Sequence, residues 1–365
     1  MPIVRKEPEL QAAAPAPKPI RNTQRDSADI VAEIEPSVSF IHDEGRSSGT
    51  GFAVTDRWVV TNAHVIDEML PEDVKVYFPS LSNSPEKLIR VLHFDESRDL
   101  CLVEVTGKHK PIRLVKPKEI RKGEDIIIIG SPAVGPELIL KNAVTKGLLS
   151  SEVVLEGKTY YQISASINPG NSGGPVVNQA GALLAVVTSK ASKEEGIAFG
   201  VPVGDLESIL MDVRKQDDIT TRAIDEAHLA RVICRRIWNR AVSHSRLMEI
   251  YCVAMQKAID AHLSASDGLE LARTARAGAA DLDAERQESQ ALERSLRRLQ
   301  KASTIDSEVR SRILELWACS QEIFRYIDDP RGSFDSYRKK TIELQDIRER
   351  LGNRLSIELD IELAK

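Results

Sequence analysis

From Ser27 to about Val213 the apolar residues fall in short β-branched runs separated by turn residues: GTGFAV, RWVVTNAHVI, VKVYF, LIRVLHF, LCLVEV, DIIIIG, LILKNAVTKGLLS, TYYQIS, GPVVN, ALLAVVTS and GIAFGVPV. Short runs rich in Val and Ile, bounded by Gly, Pro, Asn and Asp, predict strands. Many of them at close spacing predict an all-β barrel or sandwich. After Val213 glycine and proline become scarce and the period changes. Ile233, Ile237, Leu247, Ile250, Tyr251 and Met255 recur at spacings of three and four, as do Leu344, Ile347, Leu351, Leu355, Leu359 and Leu363. Such stripes predict amphipathic helices, and a three- or four-helix bundle is their natural packing. The first 26 residues alternate Pro, Ala, Lys and Gln, a composition that buries too little apolar surface to offset its ordering entropy. The predicted organisation is a disordered Pro/Ala-rich tail over 1–26, a β domain over 27–213 and an α-helical domain over 214–365.

Composition changes this picture mainly by exclusion. A chain of 365 residues can bury two cores, and a formal charge of −5 supplies no basic surface for a polyanion. Nucleic acid is therefore not expected as a partner. Arg231, Arg235, Arg236 and Arg240 cluster on one helical stretch, but interspersed acids and the lack of an aromatic platform predict a solvated helix face. The four cysteines are scattered, without C-x-x-C or Cys/His spacing, so neither a metal site nor another cofactor is expected. They read as small buried hydrophobes of a reducing compartment. The N-terminal stretch lacks the uninterrupted apolar core of a secretory signal, and no apolar run approaches the length of a membrane span. The expected location is cytoplasmic.

Chemistry enters with NPGNSGGP, residues 168–175, where glycines, prolines and asparagines crowd around Ser172. Glycine serves where φ is positive or a ligand approaches the backbone, and proline presets its own φ. The stretch reads as a rigid loop with Ser172 at its apex, or more plainly as a hairpin turn. A serine hydroxyl becomes a nucleophile only with a base in reach and a third group to orient that base. VVTNAHVI places His64 just after an apolar strand, and RDLCLVEV places Asp99 at the mouth of another. Asp67 and Asp95 compete for the acid's role, but only Asp99 begins an apolar strand. The other histidines read as ordinary surface or core residues.

In order, SSGTGFAV, VVTNAHV, RDLCLVEV, GEDIIIIGSP, AVTKGLLS, INPGNSGGPVVN and GIAFGVPV resemble the trypsin-fold serine proteases of the HtrA type, over roughly half the chain. The resemblance implies a trypsin-like double β-barrel protease domain, here followed by an α-helical bundle. It makes Ser172 the nucleophile, His64 the general base and acid, and Asp99 the residue that orients His64. It assigns the oxyanion hole to the backbone N–H groups of Gly170 and Ser172. It places the primary substrate pocket at Ser166, Val187, Ile197 and Phe199. A neutral Ser166 and apolar walls imply cleavage after small or medium aliphatic residues.

HtrA-type proteases usually carry PDZ domains after the protease, whereas helices follow Val213 here. The helical domain is expected to serve docking, regulation or oligomerisation, through a protein partner or a second copy. Two function classes stand: a serine endopeptidase acting on protein or peptide substrates, and a protease-fold scaffold acting through its helices. The joint presence of His64, Asp99 and Ser172 favours the first, because no structural need calls for all three.

Overall fold

The structure, a computed structural model, describes residues 25–43, 47–116, 119–131, 141–188, 198–262, 270, 274, 282–328, 333–361 and 363. The proposed tail lies almost entirely outside the described residues. The β region opens with a short helix, α1 (Ser27–Ile34), capped by the Asp26 carboxylate, which accepts from the Ala28 amide.

Six strands follow: β1 (Val38–Asp43), β2 (Ser47–Ala53), β3 (Trp58–Thr61), β4 (Lys75–Tyr77), β5 (Glu86–Asp95) and β6 (Leu100–Val105). They close into a barrel of order β1-β2-β3-β6-β5-β4, with β4 returning to β1. Seven more are β7 (Arg113–Leu114), β8 (Asp125–Gly130), β9 (Ala143–Leu155), β10 (Lys158–Ile163), β11 (Pro175–Asn178), β12 (Ala182–Thr188) and β13 (Ala198–Pro202). The order β11-β8-β9-β10-β13-β12 is closed by pairing of β12 with β11, and β7 adds outside β12. The short strands thus form the double β-barrel that the resemblance implied. Helix α2 (Ala63–Ile66) follows β3, and α3 (Val203–Val213) follows β13.

The period-two pattern explains how the barrels share a core. Along β6, Leu100 and Leu102 join a cluster that includes Ile127 and Val177 of the second barrel, while Cys101, Val103 and Val105 face a separate first-barrel cluster. Alternate side chains of one strand point to opposite faces, so β6 serves the seam between barrels with one face and its own barrel with the other.

Among the described residues, four long helices succeed the barrels: α4 (Asp218–Asp260), α5 (Leu282–Gln300), α6 (Ser307–Asp328) and α7 (Phe334–Leu359). Most of the predicted stripe is core: Ile233, Ile237, Leu344, Leu355 and Leu359 are buried. Ile250, by contrast, is 41 % exposed. No helix among the described residues is long and apolar enough to cross a membrane.

The start of α4 packs against the first barrel. The Val91 amide on β5 donates to Asp225 at 2.9 Å, Ile224 packs on the first-barrel cluster, and Leu70 lies in the helical cluster. The arginine cluster expected on a solvated face is instead largely buried: Arg235, Arg236 and Arg240 are 8 %, 6 % and 4 % exposed. Arg236 makes a two-pronged contact to Glu288 at 2.9 and 2.5 Å, and Arg240 meets Glu285 at 3.0 Å. Neighbours along the sequence did not reveal these partners, which arrive from other segments. Buried guanidinium groups persist only where carboxylates and hydrogen bonds replace water.

Two predictions follow from this packing. A Cβ at Gly352 on α7 would overlap the Trp238 ring of α4. Gly352→Ala, which in an exposed helix gains about 1 kcal/mol, is expected to destabilise by roughly 1–3 kcal/mol through overpacking, read as a lower Tm. His228 is buried on α4 with its ring 4.7 Å from that of Phe94, and burial pushes its pKa down to about 3. The native state keeps this imidazole neutral while the unfolded chain takes up a proton below about pH 6.5. Its contribution is therefore intact above that value and is lost as pH falls toward 3, by up to about 1.4 kcal/mol per pH unit. Urea unfolding at pH 7 and pH 5 is expected to show a smaller pH effect in His228→Leu than in the wild type; equal slopes would contradict this.

Candidate active site

Strand register brings the site together. Antiparallel β3 and β6 pair Thr61 with Cys101. Three residues beyond Thr61 lies His64 on the single turn of α2, and two residues before Cys101 lies Asp99. Both therefore emerge at the same end of one strand pair. The Nδ1 of His64 lies 2.9 Å from each Asp99 carboxylate oxygen, and the His64 amide donates to Oδ1 at 3.1 Å. Asn62 Nδ2 donates to the Asp99 carbonyl at 2.8 Å. Of the competing acids, Asp67 lies at the end of α2 paired with Arg235, and Asp95 caps its own turn.

The turn before β6 is built for that carboxylate. Asp95 Oδ1 accepts from the Ser97 amide, the Ser97 hydroxyl and the Arg98 amide at 2.8, 2.6 and 3.0 Å. These bonds, outweighing its partial burial, hold the Asp95 carboxyl below the usual range. Arg98 reaches the second barrel, donating to Thr159 O at 2.9 Å, pairing with Asp205 and lying 4.8 Å from the Tyr160 ring centroid. Asp99 itself adopts φ 57°, a left-handed conformation that Asp tolerates better than most residues. Its residue exposure is 1 %.

From the second barrel, the Thr188 hydroxyl at the end of β12 donates to Asp99 Oδ2 at 2.5 Å. Sequence reasoning missed this contact: a threonine ending an apolar strand has no motif around it, and only barrel docking brings it to Asp99. Asn62 and Thr50 were also missed as contributors, although both lie inside quoted motifs.

Ser172 precedes β11 in the loop 168–174 and is 4 % exposed. The loop is tied down by backbone bonds within itself and to β12: Asn171 N to Asn168 O at 3.0 Å, Gly174 N to Asn171 O at 2.9 Å and Gly173 N to Val187 O at 3.0 Å. The first barrel holds it from the other side. Thr50 donates its amide to Ser172 O at 2.8 Å and its hydroxyl to Gly170 O at 2.7 Å. Gly173 has φ 82°, and a Cβ there would overlap the Thr50 carbonyl, so both conformation and space demand glycine. Gly170, at φ 97°, makes the other left-handed step.

Of the pocket residues, Ser166 is exposed in the segment between β10 and the serine loop. Val187 is fully buried and Phe199 is 9 % exposed, packed edge-on to Tyr160. Pairing Thr188 with Phe199 places that wall beside the hydroxyl that holds Asp99. Ile197 lies outside the described residues.

A cleft of about 1070 Å³ opens beside His64, bounded by Phe94, Ser97 and Lys158 on the barrel side and by Arg231, Arg235 and Ile357 on the helical side. The helices therefore wall the region next to the imidazole.

Residues 49–186 match the family described as the trypsin-like peptidase domain. A "Serine protease HtrA-like" of Staphylococcus aureus (strain bovine RF122 / ET3-1) is 30 % identical over 225 residues, covering 55 % of this chain and 28 % of that protein. "Serine protease HTRA1A" of Danio rerio is 32 % identical over 217 residues, covering 54 % of this chain and 43 % of its own length. This chain thus spans less than half the length of these relatives. Among solved structures, the active form of the Rv3671c protease from M. tuberculosis is 24 % identical, with a TM-score of 0.44 and coverage of 60 % of this chain and 95 % of that one. Over residues 49–186 the chain is thus similar to trypsin-like peptidase domains, and over about half its length to HtrA-like serine proteases.

Proposed function

We propose that the chain is a serine endopeptidase that hydrolyses peptide bonds through an acyl-enzyme. The observation that carries this reading is the His64 imidazole facing the buried Asp99 carboxylate at 2.9 Å, with that carboxylate also held by Thr188 from the other barrel. A carboxylate on Nδ1 fixes the tautomer that leaves Nε2 as the base and stabilises the imidazolium once formed.

In the proposed reaction Nε2 of His64 takes the proton of the Ser172 hydroxyl as its oxygen attacks the substrate carbonyl carbon. The carbonyl oxygen becomes an oxyanion facing the amides of Gly170 and Ser172. Collapse breaks the C–N bond, and His64 gives its proton to the leaving amine. Water then repeats the sequence on the acyl-enzyme, with His64 taking one proton and returning it to Ser172. The multiply bonded loop supports this assignment, since donors aimed at a developing charge help most when already fixed.

For substrate we propose polypeptides with a small or medium aliphatic residue before the cut, on the strength of a neutral Ser166 and the apolar Val187 and Phe199. The helical domain is proposed to bind a protein partner or a second copy, with activity regulated through it. We also propose a cytoplasmic location, supported by thiols that pack as hydrophobes: Cys101, Cys234 and Cys319 are buried, and burial raises the Cys234 thiol to about 12.

The deciding experiment is labelling with a fluorophosphonate probe, which modifies an activated serine. Wild type is expected to label and Ser172→Ala to stay unlabelled; an unlabelled wild type would contradict the endopeptidase reading. Asp99→Asn is expected to lower kcat by about 10⁴-fold, because the amide presents the wrong hydrogen-bonding partner to Nδ1. Thr188→Val is expected to lower kcat by roughly 10-fold, the scale of one hydrogen bond to a charged group, with KM little changed. A peptide library read by mass spectrometry checks specificity; dominance of Arg, Lys or Glu before the cut would overturn it.

A further inference from the structure

We infer that Arg235, a residue of the helical domain, is a positioning residue for the catalytic pair, because one guanidinium holds both the segment carrying His64 and the segment carrying Asp99. The inference rests on the endopeptidase reading for its catalytic meaning, but its geometric content stands apart from it.

The two segments need outside support. Helix α2 is four residues long, a single turn. Fixing one turn costs more backbone entropy than its few hydrogen bonds return, so such a helix has no stability of its own. Its start is held through Asn62 and the His64 amide, both bonded to Asp99. Its end is capped by Asp67, and Asp67 pairs with the Nη1 of Arg235. The Asp99 segment is the turn after β5. Asp95 closes it internally and Arg98 ties it to the second barrel, while Glu96 lies 3.5 Å from the Nη2 of the same Arg235.

The arginine is itself fixed. It is 8 % exposed on the stretch of α4 that also carries Ile233 and Ile237 into the helical core. Its neighbour Arg231 donates Nε to the carbonyl of Leu359 at 2.9 Å, joining α4 to the end of α7. A planar, rigid fork suits two carboxylates on separate segments, which an ammonium on a flexible stem matches less well. The guanidinium also borders the cleft of about 1070 Å³ that contains His64, so small solutes have access to it.

Displacing a reacting group by about 1 Å can cost on the order of 10²-fold in rate. Loss of the fork is therefore expected to lower the maximal rate of fluorophosphonate labelling of full-length Arg235→Ala by roughly 10- to 100-fold. The probe concentration giving half that rate is expected to stay put, since probe-binding groups are untouched. Arg235→Lys is expected to fall between the two. Added ethylguanidinium is expected to restore part of the rate in Arg235→Ala and none in Asp67→Asn, whose own fork is intact.

A purely structural role would move none of these selectively. Arg236→Met, which removes a different buried pair of the same helix, serves as the comparison: it is expected to lower Tm as Arg235→Ala does while leaving the maximal labelling rate within about twofold. The second readout needs no activity. In protein with ¹⁵N-labelled histidine, the His64 ring shifts report the tautomer, and Arg235→Ala is expected to weaken the Nδ1–H form. If Arg235→Ala does not fold, Arg235→Lys and Glu96→Gln carry both measurements. Unchanged labelling and unchanged His64 shifts would overturn the inference. An unlabelled wild type with His64 shifts that respond to Arg235→Ala would reject the endopeptidase reading and keep the positioning role.

Discussion

The carboxylate of Asp99 is the constraint on which the rest of the site depends. It sits 1 % exposed at the seam of two barrels, where an unpaired charge would be far too costly to keep. Its donors come from three places: the imidazole of His64, the backbone amide of His64 and the hydroxyl of Thr188. The first two belong to the first barrel and the third to the second. Satisfying one buried charge therefore requires the barrels to dock in one orientation, and that orientation also sets the imidazole.

The serine loop obeys a related rule. Its carbonyls at Gly170 and Ser172 accept from Thr50, and Thr50 in turn accepts from the Ser131 amide on its hydroxyl oxygen and from the Thr61 hydroxyl on its carbonyl. A threonine of the first barrel thus organises a loop of the second. Glycine at 173 permits the approach, since any side chain there would meet the Thr50 backbone. The environment of Ser172 is a product of the seam as much as of its own motif.

The helices extend this logic beyond the barrels. Asp225 of α4 accepts from the β5 backbone and from Arg298 at 2.6 Å, while Glu72 of the first barrel accepts from Ser295 at 2.9 Å. A contact made of ion pairs and polar hydrogen bonds is specific rather than strongly stabilising, since each group gives up part of its hydration. Such a contact fixes where a domain sits. Here it sets α4 against both segments that carry the pair.

How much of this was legible in the chain follows from how local each cause is. Strand runs, the helical stripes and the glycine-rich loop are matters of local period and backbone freedom, so an all-β region followed by helices was legible in the residues, while the double barrel and the roles expected of His64, Asp99 and Ser172 came from the order of the motifs and the family they resemble. The burial of Arg235, Arg236 and Arg240 was not legible, because a guanidinium's environment is decided by partners such as Glu96 and Glu288 that lie far along the chain. Thr188 was silent for the same reason, as was the helical wall beside His64. The sequence by itself determined the elements and the chemistry on offer through local pattern. Only the tertiary structure decided which charges are desolvated and which segments they hold, because desolvation arises when distant surfaces meet.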